Sequence, residues 1–292
     1  MLDCHIHLET GPYTLTWVKE YVGYALQRGL SEIHLLEHSY LFPEFLPMYR
    51  PVCMQNDFID AWLGRKGGKR DLDEFLHLAN EVRRAQWPLP IQFGLEVCYF
   101  PGCEAFVESR TKNLGLDFLV GSIHFIDAFA FDHKPELWMG IEIDELYRRF
   151  FELSIQLASC GVFDGLAHPD SLKLFGHLPS CSLEPYYKRL AAALAQNGMY
   201  AEQNSGIFRR HGARLGMEPP LLQKMQRSGV RIQTASDAHH PSEVGLGIQE
   251  AEALVLQASK PRLGAKTIGK QYIGTRGLRL KNKNRFSAEI GT

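Results

Sequence analysis

Seven short apolar runs rich in β-forming residues alternate with helix-length amphipathic stretches along this chain, and that rhythm limits the possible folds most. The runs at residues 2–7, 32–37, 91–97, 118–123, 163–168, 199–204 and 231–236 have the length and composition of buried strands. The stretches 14–28, 71–86, 143–159, 183–196, 219–227 and 247–258 carry helical periodicity. Strands separated by helices pair in parallel, because each crossover returns the chain to the same edge of the sheet. Gly29, Gly161, Gly198 and Gly229 stand where helices should end and strands begin, as C-caps do. The expected class is therefore α/β, with the strands either closed into a (β/α)7 barrel or laid out as an open doubly wound sheet. A chain of 292 residues with 45% apolar composition can bury the core of one such domain.

Composition removes several alternatives. No apolar run approaches the ~20 residues of a membrane-spanning helix, and Met1-Leu2-Asp3-Cys4 opens no secretory signal. The six cysteines are accordingly expected to be reduced thiols of a cytoplasmic protein, with Cys4 and Cys98 packed inside strands. The net charge of −1 argues against a dedicated nucleic-acid binder. That charge is unevenly placed. Nine of the 32 Lys and Arg residues fall between 260 and 285 without an Asp or Glu among them, leaving 23 basic against 33 acidic residues elsewhere, a net of −10. The sequence thus divides into a barrel at 1–259 and a basic extension at 260–292. The extension is expected to be solvated and poorly ordered, or else an arm that touches RNA, DNA or the acidic body.

Ligand-type side chains recur at the ends of the strands. His5 and His7 close the first run and Glu37-His38 the second, while Glu96 lies near the end of the third. His124 follows the fourth, His168 ends the fifth, Glu202 and Asn204 end the sixth, and Asp237 and His239 follow the seventh. In an α/β fold these ends share one rim, where catalytic residues gather. A single His at a strand end is more often structural than a ligand, but seven strands of seven are hard to explain that way. Carboxylates and imidazoles converging on one rim would be costly without cations to pair them. A donor set of His, Asp and Glu without Cys suits Zn, Mn or Fe, and the ligand count suits two or three ions. His5 and His7, two apart on a strand, face the same way and can reach one ion.

These residues resemble the PHP (polymerase and histidinol phosphatase) family, in its histidinol-phosphatase-like branch. The matching segments are Asp3-Cys4-His5-Ile6-His7, Glu37-His38-Ser39, Gly94-Leu95-Glu96-Val97, Gly121-Ser122-Ile123-His124-Phe125, Gly165-Leu166-Ala167-His168-Pro169-Asp170, Glu202-Gln203-Asn204-Ser205-Gly206 and Ser236-Asp237-Ala238-His239. The resemblance implies a distorted (β/α)7 barrel with a trinuclear metal centre at the C-terminal rim. It implies that His5, His7, Glu96 and Asp237 hold one metal. Glu96 would bridge to a second ion held by His124 and His168, with His38 and His239 on the third. The family usually supplies a further Asp or His a few residues beyond the second His, and Thr10-Gly11-Pro12-Tyr13 offers neither. Either Glu9 substitutes or the third site is weak.

The implied activity is metal-dependent hydrolysis of a phosphate monoester, foremost L-histidinol phosphate in histidine biosynthesis. Arg209 and Arg210 are candidates to clamp the phosphate, with Arg209, Asp237 and His239 as candidate catalytic groups. The aromatic-rich connections 38–56 and 125–140 would cover the substrate, and Glu44 or Asp127 would meet its amine. Alternatives are a phosphoesterase for a nucleotide, cyclic phosphodiester or oligonucleotide, an eight-stranded amidohydrolase-type barrel, and a non-catalytic metal-binding module. The basic segment Gly64–Arg70 lacks a phosphate-loop ending and is expected to be a solvated turn. His34, His77, His133, His177, His211 and His240 are expected at the surface or on helices.

Overall fold

Seven parallel strands lie side by side in chain order in a computed structural model of the protein, whose described residues are 1–259. With all strands numbered along the chain, they are β1 (Leu2–His7), β2 (Glu32–His38), β3 (Ile91–Cys98), β4 (Phe118–Ser122), β7 (Gly165–Leu166), β8 (Tyr200–Asn204) and β9 (Arg231–Ala235). A separate antiparallel hairpin, β5 (Phe125–Ile126) with β6 (Phe129–Ala130), stands above β4 in the chain. The sheet curls back on itself. Ile6 bridges Ala238 in parallel, and the His7 N–H donates to the Ala238 carbonyl at 2.8 Å. The buried Asp3 carboxylate fastens the same seam by accepting the N–H groups of Ser236 and Gly245, each at 2.8 Å. The architecture is thus the distorted (β/α)7 barrel; the open sheet is excluded. Seven strands among the described residues also set aside the eight-stranded alternative.

Strand alternation decides what enters the barrel. Cys4, Leu36, Phe118, Val120, Tyr200 and Ala235 from the strands pack together with Ala167, just past β7, in one cluster. Counting by twos from that layer, Leu36 leads to His38, Val120 to His124 past Ser122, and Tyr200 to Glu202 and Asn204. In β1 the register against β2 slips between Asp3 and Ile6. That irregularity reverses the alternation after Cys4, so His5 and His7 also turn inward, as bulges re-aim side chains elsewhere.

The expected helices form with small changes at their ends: α1 (Leu15–Gln27), α4 (Leu72–Arg84), α6 (Ile143–Ser159), α7 (Glu184–Gln196), α9 (Pro219–Arg227) and α10 (Ile248–Ala258). Thr14 caps α1 by accepting the Trp17 N–H, and Asp71 caps α4 by accepting from Asp73 and Glu74. The four expected C-cap glycines all have positive φ, between 65° and 79°. Shorter helices α2 (Arg50–Cys53), α3 (Asp57–Lys66), α5 (Glu104–Thr111) and α8 (Gly206–His211) occupy connections that periodicity alone does not mark.

Three expectations change. The fifth strand is two residues long rather than six, because the backbone leaves the sheet at His168, whose φ is +28°. The basic segment near Gly64 is no free turn. Its first residues finish α3, and Arg70 donates to the Gly11 carbonyl with its guanidinium 4.0 Å over the Tyr13 ring. His34 is buried inside the barrel against Phe118, since it shares the inward parity of Leu36 and His38. The basic stretch 260–292 lies outside the described residues, and no helix among those described is long and apolar enough to cross a membrane.

A β-carbon at Gly94 would lie 2.5 Å from the Phe118 ring and 2.6 Å from the Phe118 carbonyl oxygen. Gly94→Ala should therefore destabilise the barrel by about 1–3 kcal/mol, read as a lower midpoint in urea with unchanged slope. An unchanged midpoint would mean that this strand pair has room to separate.

Candidate metal centre

Glu96, on β3, is 1% exposed and lies among five imidazoles. Its Oε2 is 2.8 Å from His38 Nδ1, 3.3 Å from His5 Nε2 and 3.5 Å from His7 Nε2. Its Oε1 is 3.1 Å from both His124 Nε2 and His168 Nε2. Asp237 Oδ1 completes the first group, 3.9 Å from His5 Nε2 and 3.8 Å from His7 Nε2. Barrel closure supplies this proximity, because Asp237 and His239 flank the Ala238 that pairs with β1. Asp237 and His168 both hold positive φ, +54° and +28°. Such strain in non-glycine residues persists only where the surroundings enforce it.

The donor atoms face one another in a way that suits cations. His5 Nδ1 donates to Glu202 Oε1 at 2.8 Å, so neutral His5 presents the Nε2 lone pair to Glu96 and to His7 Nε2, 2.9 Å away. His124 and His168 likewise meet Nε2 to Nε2 at 3.3 Å. Glu96 Oε2 is fully enclosed, yet none of its imidazole neighbours meets it with hydrogen-bond geometry. His7 Nδ1 and Glu9 Oε2 are orphaned in the same way. Lone pairs and carboxylates aimed at shared points are costly when dry, and divalent ions resolve the conflict. The residues therefore fit metal. Glu202 also steadies the site from behind, accepting the His168 N–H and the Asn204 amide through Oε2.

Three groups of donors could each hold an ion: His5, His7 and Glu96; His38, Glu96 and His124; and His7, Glu9, His38 and His239. The last brings Glu9 into the site, 3.5 Å from His7 Nδ1 and 3.6 Å from His239 Nε2. All nine sequence-predicted ligand positions, His5, His7, Glu9, His38, Glu96, His124, His168, Asp237 and His239, thus converge at the rim. The electrostatics follow the geometry. Burial opposes ionisation of Glu96, but the His38, His124 and His5 imidazoles hold its carboxyl well below the usual range. Burial likewise opposes Asp237, which Arg210 and His5 nevertheless hold below the carboxylate range. Burial, with His38 and His239 close by, depresses His7.

A cavity of about 310 Å³ opens over the donors. Arg210 lines it, with its Nη2 2.6 Å from Asp237 Oδ2. Arg209 is engaged elsewhere: its guanidinium donates to the Ser236 and Asp237 carbonyls and to Glu243 Oε2. Glu44 is exposed, and Asp127 turns outward to pair with Arg149 at 3.0 Å, so neither of these expected amine partners lines the cavity. Of the acidic residues that line it, Asp132 belongs to the same aromatic connection as Asp127. His133 and His211 also line the cavity, together with Tyr40 and Trp62, and His211 does so as an exposed residue at the end of α8, in keeping with its expected place. The aromatic richness of the two connections was the signal for Tyr40 and His133; Trp62 lies on α3, which had none.

The PHP domain family matches residues 3–206. A probable histidinol-phosphatase of Deinococcus radiodurans is 29% identical over 260 residues, covering 86% of this chain and 91% of that protein. A probable histidinol-phosphatase of Schizosaccharomyces pombe is 24% identical over 262 residues, covering 81% and 79%. Among solved structures, the histidinol phosphate phosphatase of Lactococcus lactis, in complex with zinc, L-histidinol and phosphate, superposes with a TM-score of 0.60 at 19% identity, covering 88% of this chain and 93% of that one. The match spans β1 through the start of α8 and with it seven of the nine converging donors, and the chain belongs to the PHP domain family.

Proposed function

We propose that the protein is a metal-dependent phosphomonoesterase that hydrolyses L-histidinol phosphate to L-histidinol and phosphate in histidine biosynthesis. The observation that carries the reading is Glu96 among five imidazoles beneath a cavity whose wall bears Arg210. The two relatives named as probable histidinol-phosphatases support the substrate. A cytoplasmic location fits this chemistry, as does a division into a barrel at 1–259 and a basic extension at 260–292.

Two or three divalent ions, zinc, manganese or iron, would supply Lewis acidity when bound, activating a water and neutralising phosphate charge. His5, His7, Glu96 and Asp237 would hold the first, Glu96, His124 and His168 the second, and His38, His239 and Glu9 the third. His239 is 3.0 Å from the Asp237 carbonyl through Nδ1, so donation there leaves Nε2 as its ligand atom. Arg210 would bind the non-bridging phosphate oxygens, because it is the guanidinium that reaches the cavity. Asp237 couples the two functions, facing His5 and His7 through Oδ1 and Arg210 through Oδ2. Arg209, the other candidate phosphate clamp, would instead brace the 236–237 backbone that carries Asp237. The cavity of about 310 Å³ accommodates a compact ester.

Phosphate release from L-histidinol phosphate, beside mononucleotides and an aryl phosphate, tests the reading when metal is counted on the same sample. Selective release with two to three ions per chain is expected; bound metal with preferred release from another ester would move the substrate. His7→Ala should lose metal and more than about 100-fold in turnover, and wild-type turnover in a metal-replete variant would remove His7 from the site. Arg210→Ala should lower kcat/KM by about 100-fold. Arg209→Ala should cost mainly stability, read by thermal melting; the reverse pattern would exchange the two roles. Chelation should lower Tm by several degrees, restored by added metal, since the apo cluster leaves like lone pairs and carboxylates facing.

A further inference from the structure

We propose that Arg70 and Thr10 are positioning residues that tie together the segments bearing Glu9, His38 and His239, and so set how firmly the third ion is held. The inference rests on the metal-centre part of the reading above and is independent of which ester is hydrolysed.

The three donors come from different parts of the rim. Glu9 lies in the turn after β1, His38 ends β2, and His239 follows β9. Glu9 has no strand to hold it, so its aim depends on how that turn is fastened. The Trp17 indole N–H donates to the Leu8 carbonyl at 3.1 Å. Gly11 lies flat against the same indole, where a β-carbon would stand 2.3 Å from the ring. Arg70 donates to the Gly11 carbonyl, and its guanidinium sits 4.0 Å over Tyr13. Tyr13 in turn donates to Glu37 Oε1 at 3.0 Å, next to His38 in the chain.

Arg70 reaches this turn from the connection between α3 and α4, whose backbone is anchored to the segment beyond His38. The Arg70 N–H donates to the Leu41 carbonyl at 3.0 Å, and the Gly68 N–H to the Tyr40 carbonyl at 2.9 Å. The Tyr40 ring stacks on His38 at 4.8 Å. One residue therefore joins the His38 segment through its main chain to the Glu9 turn through its side chain. Thr10 closes the circuit, its hydroxyl donating to the His239 carbonyl at 2.7 Å. Within this frame Glu9 Oε1 stands 3.6 Å from His239 Nε2, and the His7 ring is stacked between His38 at 4.0 Å and His239 at 4.4 Å. Neither Arg70 nor Thr10 lines the cavity over the donors. Their effect on chemistry must therefore pass through the ligands they aim. Glu96 is carried by a buried strand and Asp237 is held by Arg209 and Arg210, so the other two ion positions do not draw on this clamp.

Zinc release from the zinc-loaded protein to a chromophoric chelator, with zinc per chain counted on the same samples, tests the clamp. Glu9→Gln marks the phase that belongs to the third ion. Arg70→Ala and Thr10→Val should speed that phase at least about tenfold and leave the others unchanged, the scale at which outer partners of ligands act. Thr10→Ser, which keeps the hydroxyl, should release zinc as the wild type does. Adding Arg70→Ala to Glu9→Gln should speed release no further, because both act on one carboxylate. Wild-type release in Arg70→Ala and Thr10→Val would overturn the clamp. So would equal acceleration of every phase, which is what a loosened barrel gives, or a Thr10→Ser variant as fast as Thr10→Val. Should Arg70→Ala fail to fold, the two Thr10 variants decide the matter. A wild type with no phase that responds to Glu9→Gln would also overturn it. The expected release pattern in a protein that frees no phosphate from L-histidinol phosphate would support the clamp while removing the phosphatase reading.

Discussion

One buried carboxylate organises this protein. Glu96 stands within 3.5 Å of imidazole nitrogens from β1, the end of β2, the turn after β4 and the turn after β7. Isolated in a dry interior, such a group would be protonated; here the surrounding imidazoles hold it ionised. The same crowding leaves ring nitrogens facing each other and carboxylate oxygens without hydrogen bonds. The protein carries that conflict because the rest of the barrel is fastened around it, and bound cations remove it.

The fastening is local and identifiable. Asp3 ties the first strand to the segments beyond the last, and the Ile6–Ala238 bridge brings Asp237 and His239 beside His5 and His7. Glu202 fixes which nitrogen of His5 faces the centre, and Arg209 holds the backbone on which Asp237 sits in a strained conformation. These residues touch no substrate in the proposed chemistry. They set the aim of those that do, which is why a site with so many titratable groups can be built on a seam between β1 and the segment that follows β9.

Much of this was legible beforehand. The strand and helix rhythm carries its own period, and the ligand-type residues fall at strand ends whose common rim follows from parallel pairing. Side chains two apart on a strand share a face, so His34 could have been placed inside with Leu36 and His38 by the same rule. The short helices α3 and α8 were not legible, because a few residues of amphipathic pattern do not separate a helical turn from a loop. The different duties of Arg209 and Arg210 were also hidden, since adjacent residues on one helix turn differ only in where the neighbouring backbone runs.

The sequence by itself determined the α/β class, the seven strands of the main sheet and the set of residues at their C-terminal ends, because period and residue chemistry are local properties. Tertiary structure decided how those residues divide the work. Closure of β9 onto β1 brought Asp237 to His5 and His7 across more than two hundred residues of chain. The slip in β1 turned both imidazoles inward. The fold of the aromatic loop sent Asp127 to solvent and Asp132 to the cavity, although the two stand five residues apart. Which way a side chain faces in an irregular loop depends on what packs beneath it, and that is written in contacts rather than in order along the chain.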